Sequence, residues 1–216
     1  MEVKTVIFDL DGVLVDTIPL HFKAWHRLFK EQGKAITFED YKHKIDGIPT
    51  EAGIKAILPG ASEEVIGILS SLKREYFLLF LKASGVIVHQ DAFELIHRLR
   101  SADIALAVIS SSTHCRFILE KAGLSELFDA VVSSKDIAQG KPAPDIFFAA
   151  ADILKVSPAE CVVIEDAVLG VEAAKRAGMR CVGIDRYRLP LRLKDADIIV
   201  DDLSLLTLDQ LEQITP

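Results

Sequence analysis

The sequence predicts a doubly wound α/β core with a parallel sheet, interrupted after its first strand by a helical insertion. Short runs of strand length alternate with helical patterns over most of the chain, and these runs are apolar throughout, as parallel strands buried on both faces are. Between residues 18 and 84 the patterns are helical or irregular instead. We therefore expect a core domain of residues 1–17 and 85–216, and a helical cap domain of residues 18–84.

The first expected strand ends in two carboxylates. An apolar run over residues 3–8 stops at Asp9 and Asp11, and Gly12 follows directly. Alternate residues of a strand face the same way, and the carboxyl ends of parallel strands form the ligand crevice of such a sheet. Two interpretations are open: aspartates that end a strand in a turn, or a pair that shares a metal ion.

The composition and charge indicate a globular protein for which neither nucleic acid nor a membrane is an expected partner. Its 216 residues, half of them hydrophobic, suffice to bury a sizeable core. The net charge is −7 and no cluster of lysine or arginine is long enough to follow a phosphate backbone, so nucleic acid is not an expected partner. No basic segment with an apolar region opens the chain, and no apolar run approaches the roughly 20 residues that span a bilayer, so no membrane partner is expected.

Neither the cysteines nor the surface pattern indicates an assembly. Cys115, Cys161 and Cys181 have no paired spacing, and two of them open apolar runs. We expect them to be buried packing residues, which fits a protein of the reducing cytoplasm. Apolar positions on the expected helices are too isolated to indicate a dimer patch, so we expect a monomer.

The helical insertion is expected to contain two long helices joined by a less regular segment with turns. The helices are expected over 19–33 and 62–84, and the turns over 36–59. Because the insertion follows the first strand, it would lie over the carboxyl edge of the sheet. We therefore expect it to act as a lid above the two aspartates.

After the insertion, helices and strands are expected to alternate. Asp91 is the expected N-cap of the first helix, and Gly123 is expected to end the second. Helices are expected over 92–100, 145–154 and 171–177, together with one that ends at residue 123. Strands are expected over 104–109, 130–132, 161–164, 181–184 and 198–200.

Four more polar residues follow these strands or lie in these loops: Ser110, Lys141, Glu165 and Asp166. Carboxylates gathered at one edge would raise one another's pKa unless a cation joined them, and a few hard oxygen ligands suit Mg²⁺. A lysine can pair with both phosphate and aspartate, and a serine hydroxyl can donate to a phosphoryl oxygen. Each residue alone has an ordinary explanation, such as a surface lysine before a proline-rich turn. Together they indicate a site for a small phosphorylated metabolite.

The order and spacing of these residues resemble the sequence motifs of the haloacid dehalogenase superfamily. Its four motifs are matched by Asp9-Leu10-Asp11-Gly12, Ser110, Lys141-Pro142 and Glu165-Asp166, and the resemblance covers essentially the whole chain. The chain is most similar to the β-phosphoglucomutase and sugar-phosphatase branch, which carries a helical cap after the first motif. Residues 21–25 and 141–147 look especially like the mutases.

The resemblance implies phosphoryl transfer through an aspartyl phosphate. Asp9 would attack phosphorus, and Asp11 would protonate the leaving oxygen and later deprotonate the incoming nucleophile. Mg²⁺ would be bound by Asp9, by the backbone carbonyl of Asp11 and by Asp166. Glu165 would bind the metal or orient its other ligands. The serine and the lysine of the middle motifs would stabilise charge on the phosphoryl oxygens.

The same resemblance leaves phosphatase and mutase both open. His21 and Lys73 match cap or hinge positions of the mutases, although an exposed histidine and a solvated lysine are ordinary explanations. In the cap loop over 47–51, Thr50 stands where the mutases place a phosphate-binding arginine. One hydroxyl should hold a distal phosphate less well than a bidentate cation.

Three residues near the first and second motifs complete the expected substrate-binding set: Gly12, Ser111 and Ser112. His114 stands where the mutases have an asparagine, whereas Ser112 is retained. The interpretation we favour is a Mg²⁺-dependent phosphatase acting on a small phosphomonoester such as a sugar phosphate. The alternative is a β-phosphoglucomutase-type mutase.

Other classes fit less well. The phospho-accepting aspartate of a response-regulator receiver ends a later strand, where this chain has Ser110. A dehalogenase needs neither Asp11 nor a metal. A catalytically silent binding protein would be expected to have lost one of the three motif aspartates, and all three are present.

Overall fold

The computed structural model describes residues 3–46, 48–186, 188 and 192–214, except for the side chains at positions 42 and 43. The chain divides into two compact units. The core unit comprises the residues up to Asp16 and those from Ile87 onwards, and the helical unit is Thr17–Val86.

The core unit is built on a six-stranded sheet. Its strands are β1 Thr5–Asp9, β2 Ala105–Ser110, β3 Ala130–Ser133, β4 Cys161–Glu165, β5 Arg180–Ile184 and β6 Ile198–Val200. Their order is β3-β2-β1-β4-β5-β6 and every pairing is parallel. The order reverses direction on either side of β1, as in a doubly wound sheet. The predicted fold class is confirmed.

Burial explains why the interiors of the central strands are apolar. Every residue of β1, β4 and β5 is buried, which is the pattern of parallel strands covered on both faces. All three cysteines are buried and have free thiols, as predicted.

The helical unit contains α1 Ile18–Glu31, α2 Phe38–Lys44, α3 Thr50–Ile57 and α4 Glu63–Ser84. Two long helices, α1 and α4, lie close to the predicted bounds, and Ser62 caps α4 by accepting the Val65 N–H at 3.3 Å. The Trp25 and Phe29 rings stack within this unit at 5.3 Å. No described helix has both the length and the apolar character needed to cross a membrane.

The segment expected to be less regular over 36–59 is more helical than predicted, because it forms α2 and α3. The turns predicted at Asp46 and Pro59 are present, one after each helix. Thr37 and Asp40 make a reciprocal capping box: each side chain accepts the backbone N–H of the other, at 3.0 and 2.9 Å. Such local polar bonds begin a short helix without a long apolar period. Thr50 is therefore the first residue of α3 instead of a loop residue, and Gly47 of the expected cap loop lies outside the described residues.

The core helices are α5 Gln90–Ser101, α6 Cys115–Ala122, α7 Asp145–Leu154, α8 Val168–Arg176 and α9 Leu208–Gln213. Gly123 ends α6 with a left-handed φ of 69°, as expected of a C-terminal glycine.

The expectation that Asp91 caps α5 is wrong. The helix begins one residue earlier, with His89 at the N-cap position and no side-chain capping bond. The Asp91 carboxylate instead binds the guanidinium of Arg186 and accepts the backbone N–H of Leu203. A bidentate ionic partner is a stronger attraction than a local backbone N–H, which explains the difference.

Candidate active site

The candidate site lies at the carboxyl edge of the central strands. Asp9 ends β1, Ser110 ends β2 and Glu165 ends β4, and both neighbouring strands pair directly with β1. In register, Asp9 lies opposite Ile109, so Ser110 is the next residue beyond it. The parallel sheet thus brings polar residues that are far apart in sequence to one edge.

Lys141 joins two of these carboxylates. Its Nζ lies 2.6 Å from Asp9 Oδ1 and also contacts Glu165 Oε1. Side-chain exposure is 9% for Lys141 and Asp9 and 0% for Glu165, so this is a buried ionic cluster. Buried charges are tolerated only when they are paired, and this pairing fixes the orientation of the Asp9 carboxylate.

The titration of this cluster follows from its burial. Burial raises the pKa of Asp9 well above its usual range; Lys141 counteracts this, while Glu165, Asp11 and Asp166 add to the rise. Burial alone would lower the pKa of Lys141, but the two carboxylates raise it above its ordinary value. Lys141 is therefore a permanent cation, whereas the Asp9 carboxylate gains from any additional positive charge.

Ser110 is held in place on both sides. Its hydroxyl donates to Asp11 Oδ2 at 3.0 Å and accepts the backbone N–H of Ser112 at 2.9 Å. Ser112 in turn accepts the His114 N–H through its hydroxyl at 3.1 Å, whereas Ser111 is exposed. The structure thus places the predicted acid–base residue, Asp11, beside the predicted phosphate-binding serine.

Two glycines allow the fourth-motif carboxylates to approach closely. Gly12 has a φ of 85°, and a Cβ there would overlap the Asp166 carboxylate. A Cβ at Gly170 in α8 would overlap the carboxylate of Glu165, whose Oε2 accepts the Ala167 N–H at 3.0 Å. Glu165 is therefore bound between Lys141 and the segment that begins α8.

The donor set fits a small hard cation. No three described side chains among the His, Cys, Asp and Glu residues form a metal site by themselves. Mg²⁺ does not require one, because it keeps several waters and is bound by one or two carboxylates. Asp9 and Asp166 are carboxylates of this kind. Burial is the main cause of the raised pKa of Asp9, and the negative charges of Glu165, Asp11 and Asp166 add to the rise, which a bound cation would oppose.

The residues predicted in the cap lie in the helical unit. Lys73 Nζ lies 2.9 Å from His21 Nδ1, and the His21 ring stacks on Phe77 at 4.1 Å. Lys73 is only 7% exposed, so the ordinary explanation of a solvated lysine does not hold. Its Nζ also lies 5.2 Å from the Trp25 ring centroid. Thr50 is half-buried at the start of α3.

Sequence reasoning missed one residue near the site. Arg186 follows β5 and donates to the backbone carbonyls of Gly12 and Val13, both at 3.1 Å. It belongs to no motif and to no periodic pattern. Only the folded chain brings it beside the first motif.

Comparison with known proteins agrees with this geometry. The profile of a family described as haloacid dehalogenase-like hydrolase matches residues 6–184, which include all four motifs. The chain belongs to this family. The predicted resemblance is thus confirmed, and so is the expectation of an enzyme.

Individual relatives place this hydrolase in the phosphoglucomutase-like branch. It is 36% identical to a β-phosphoglucomutase of Bacillus subtilis, over 97% of this chain and 94% of the relative. It is 34% identical to a phosphorylated carbohydrates phosphatase of Thermotoga maritima, over 82% of each. The crystal structure of a β-phosphoglucomutase from Clostridium difficile superposes with a TM-score of 0.84 and 28% identity, covering 98% of this chain and 96% of that one.

Proposed function

We propose that this hydrolase is a Mg²⁺-dependent phosphatase that releases phosphate from a small phosphomonoester, a sugar phosphate, through an aspartyl phosphate on Asp9. The observation that carries the proposal is the buried cluster of Asp9, Lys141 and Glu165 at the carboxyl edge of the sheet. Burying these charges is costly for stability, and a catalytic nucleophile with a fixed orientation accounts for the arrangement.

In the first half-reaction, the Asp9 carboxylate attacks phosphorus and the bond from phosphorus to the sugar oxygen breaks. Asp11 gives its proton to the departing oxygen, which leaves as a hydroxyl. Before the substrate binds, the hydrogen bond from Ser110 at 3.0 Å holds the Asp11 carboxyl in position. In the second half-reaction, Asp11 takes a proton from water, the water oxygen attacks phosphorus, and Asp9 is released with inorganic phosphate.

Charge on the phosphoryl oxygens is stabilised by groups already fixed in the resting protein. Lys141 supplies a cation whose position is set by Asp9 and Glu165. The Ser110 hydroxyl supplies a donor, since its hydrogen can turn from Asp11 to a phosphoryl oxygen. Such fixed groups need little reorganisation during the reaction.

Mg²⁺ would be held by Asp9, Asp166 and the backbone carbonyl of Asp11. When bound, it supplies positive charge to the carboxylates and to the transferring phosphoryl group. Glu165 contributes through Lys141, because its two carboxylate oxygens contact Lys141 and the Ala167 N–H.

We propose further that the helical unit is a cap that selects the substrate and excludes bulk water. The support is its insertion directly after the first motif and the contact within it between the buried Lys73 and the half-buried His21. Thr50 favours a phosphatase, because a hydroxyl holds a second phosphate less firmly than an arginine. The substrate is a small phosphorylated metabolite, and we expect the protein to act on it as a cytoplasmic monomer.

A mutase is the second candidate. The His21–Lys73 contact supports it, since both residues match positions that the mutases use. The relative from Bacillus subtilis is named a β-phosphoglucomutase. The two functions share the chemistry at Asp9 and differ in whether water or a sugar hydroxyl accepts the phosphoryl group.

The test is phosphate release from a panel of sugar phosphates with Mg²⁺, together with NMR of β-glucose 1-phosphate to detect isomerisation. We expect metal-dependent phosphate release that Asp9→Asn abolishes and that Asp152→Asn, at an exposed position of α7, leaves unchanged. Conversion to glucose 6-phosphate with little free phosphate would replace the phosphatase with the mutase. Equal activity of Asp9→Asn and the wild type would exclude both.

A further inference from the structure

Arg186 contacts the turn that follows the acid–base residue. Its Nε donates to the carbonyl of Gly12 and its Nη2 to the carbonyl of Val13, each at 3.1 Å. These are the first two residues after Asp11. The guanidinium therefore binds the main chain at the point where the motif leaves the sheet.

The guanidinium is itself held from the other side. Arg186 Nη1 and Nη2 lie 2.9 and 3.0 Å from the two carboxylate oxygens of Asp91. Asp91 also accepts the Leu203 N–H at 2.9 Å. A bidentate pair of this kind fixes orientation as well as distance.

The turn needs such an external partner. Three of its N–H groups are bonded within the turn: Gly12 donates to Val15 at 2.8 Å, and Leu14 and Val15 donate to Leu10 at 3.0 and 3.1 Å. The carbonyls of Gly12 and Val13 are instead bound by Arg186. A movement of this turn would shift Asp11 relative to Ser110, to which it is hydrogen-bonded.

We propose that Arg186 is a positioning residue: by binding the Gly12 and Val13 carbonyls, it keeps the Asp11 carboxyl where it can transfer a proton to the leaving oxygen. This inference rests on the proposed function, in which Asp11 is the general acid. The forked guanidinium binds two carbonyls and both oxygens of a carboxylate at once, through four hydrogen bonds. Lysine, a point charge, would bind fewer of them.

The activity test compares two substrates of similar shape. Phenyl phosphate and p-nitrophenyl phosphate differ mainly in the basicity of the leaving oxygen, and only the more basic phenolate depends strongly on a proton from Asp11. We would measure kcat and KM for both with wild type, Arg186→Met, Arg186→Lys and the control Arg100→Lys. Arg100 also pairs with a carboxylate away from the turn: its Nη1 donates to both oxygens of Asp129, which accepts the Leu106 N–H.

We expect Arg186→Met to lower kcat/KM for phenyl phosphate about tenfold or more, mainly through a lower kcat. The same variant should lower kcat/KM for p-nitrophenyl phosphate less than about threefold. The kcat/KM values of Arg186→Lys should lie between those of the wild type and Arg186→Met, and Arg100→Lys should leave kcat/KM unchanged for both substrates. Equal losses on both substrates, or no loss on either, would overturn the inference. If Arg186→Met does not fold, Asp91→Asn provides the same comparison, with a smaller loss in the same direction.

A second readout does not depend on activity. We expect the amides of Gly12, Leu14 and Val15 to exchange hydrogen faster in Arg186→Met than in the wild type, and Arg100→Lys to leave them unchanged. Unchanged exchange in Arg186→Met would overturn the inference even if the protein proved to have another activity. Failure of the proposed function would appear differently, as a wild type that releases no phosphate.

Discussion

Lys141 is the residue whose charge the site depends on most. It is the cation between Asp9 and Glu165, and all three side chains are at most 9% exposed. Its raised pKa keeps it charged throughout the range in which proteins are handled. Removing it would leave two carboxylates facing each other in a buried place.

Lys141→Met should therefore reduce both stability and activity. We expect the free energy of unfolding, measured with urea in the absence of Mg²⁺, to fall by about 3–5 kcal/mol, because an unpaired buried charge remains. We expect kcat for phosphate release to fall by about 10² or more, because a fixed donor to the phosphoryl group is lost.

The matched control is the double variant Lys141→Met with Glu165→Gln. Removing one carboxylate together with the lysine should restore part of the lost stability, since fewer like charges remain, but it should restore no activity. A single variant that unfolds at the same urea concentration as the wild type would contradict the ionic cluster.

Protonation of His89 is expected to make the stability of the protein depend on pH. His89 is half-buried; burial lowers its pKa, and Arg186 lowers it further, while Asp16 and Asp91 act in the opposite direction. In the unfolded chain, histidine titrates near about 6.5. The folded protein thus favours neutral His89, and this contribution to stability is present above that pH and lost as the pH falls through it.

We expect the free energy of unfolding to decrease between about pH 7 and pH 5, and to decrease less in His89→Gln. His97→Gln, at an exposed position of α5, is the control and should follow the wild type. Urea unfolding at several pH values measures the slopes. A slope in His89→Gln as steep as that of the wild type would show that this residue does not contribute.

At the scale of elements, helix α8 packs closely against the carboxylate of Glu165. Gly170 lies in the helix where a Cβ would overlap Glu165, and the Ala167 N–H at the helix start donates to the same carboxylate. A glycine inside a helix lowers its stability, so close packing is the reason for it here.

Gly170→Ala should therefore destabilise the protein by about 1–3 kcal/mol, although alanine is the better helix former. Gly67→Ala in α4 is the matched comparison, because a Cβ there meets nothing within 4 Å, and it should stabilise by up to about 1 kcal/mol. Thermal unfolding of both variants shows whether each substitution raises or lowers the stability of the protein. A stabilising Gly170→Ala would contradict the described packing.

Elements with a strong apolar period could be predicted from sequence, whereas those set by local polar bonds could not. The strand β4 and the helix α7 lie within a residue of their expected bounds. The short helices α2 and α3 have too few turns for a clear period. The N-cap of α5 was mispredicted because Asp91 binds a guanidinium 95 residues away.

For the whole molecule, strand alternation and the motif positions were enough to predict the fold class and the family, both of which are confirmed. The edge of a parallel sheet brings strand ends together whatever lies between them, so Asp9, Ser110 and Glu165 could be placed in advance. His21 and Lys73, 52 residues apart, were singled out only by the resemblance, and their contact with each other was not predicted.

The most direct test of the account is the location of the phosphoryl group during turnover. The protein is mixed with acetyl phosphate and Mg²⁺, quenched in acid, digested, and its peptides are examined by mass spectrometry. We expect a phosphoryl adduct on Asp9 in the wild type and in the control Asp152→Asn, and none on that peptide in Asp9→Asn. An adduct on another residue, or phosphate release by Asp9→Asn at the wild-type rate, would contradict nucleophilic catalysis by Asp9.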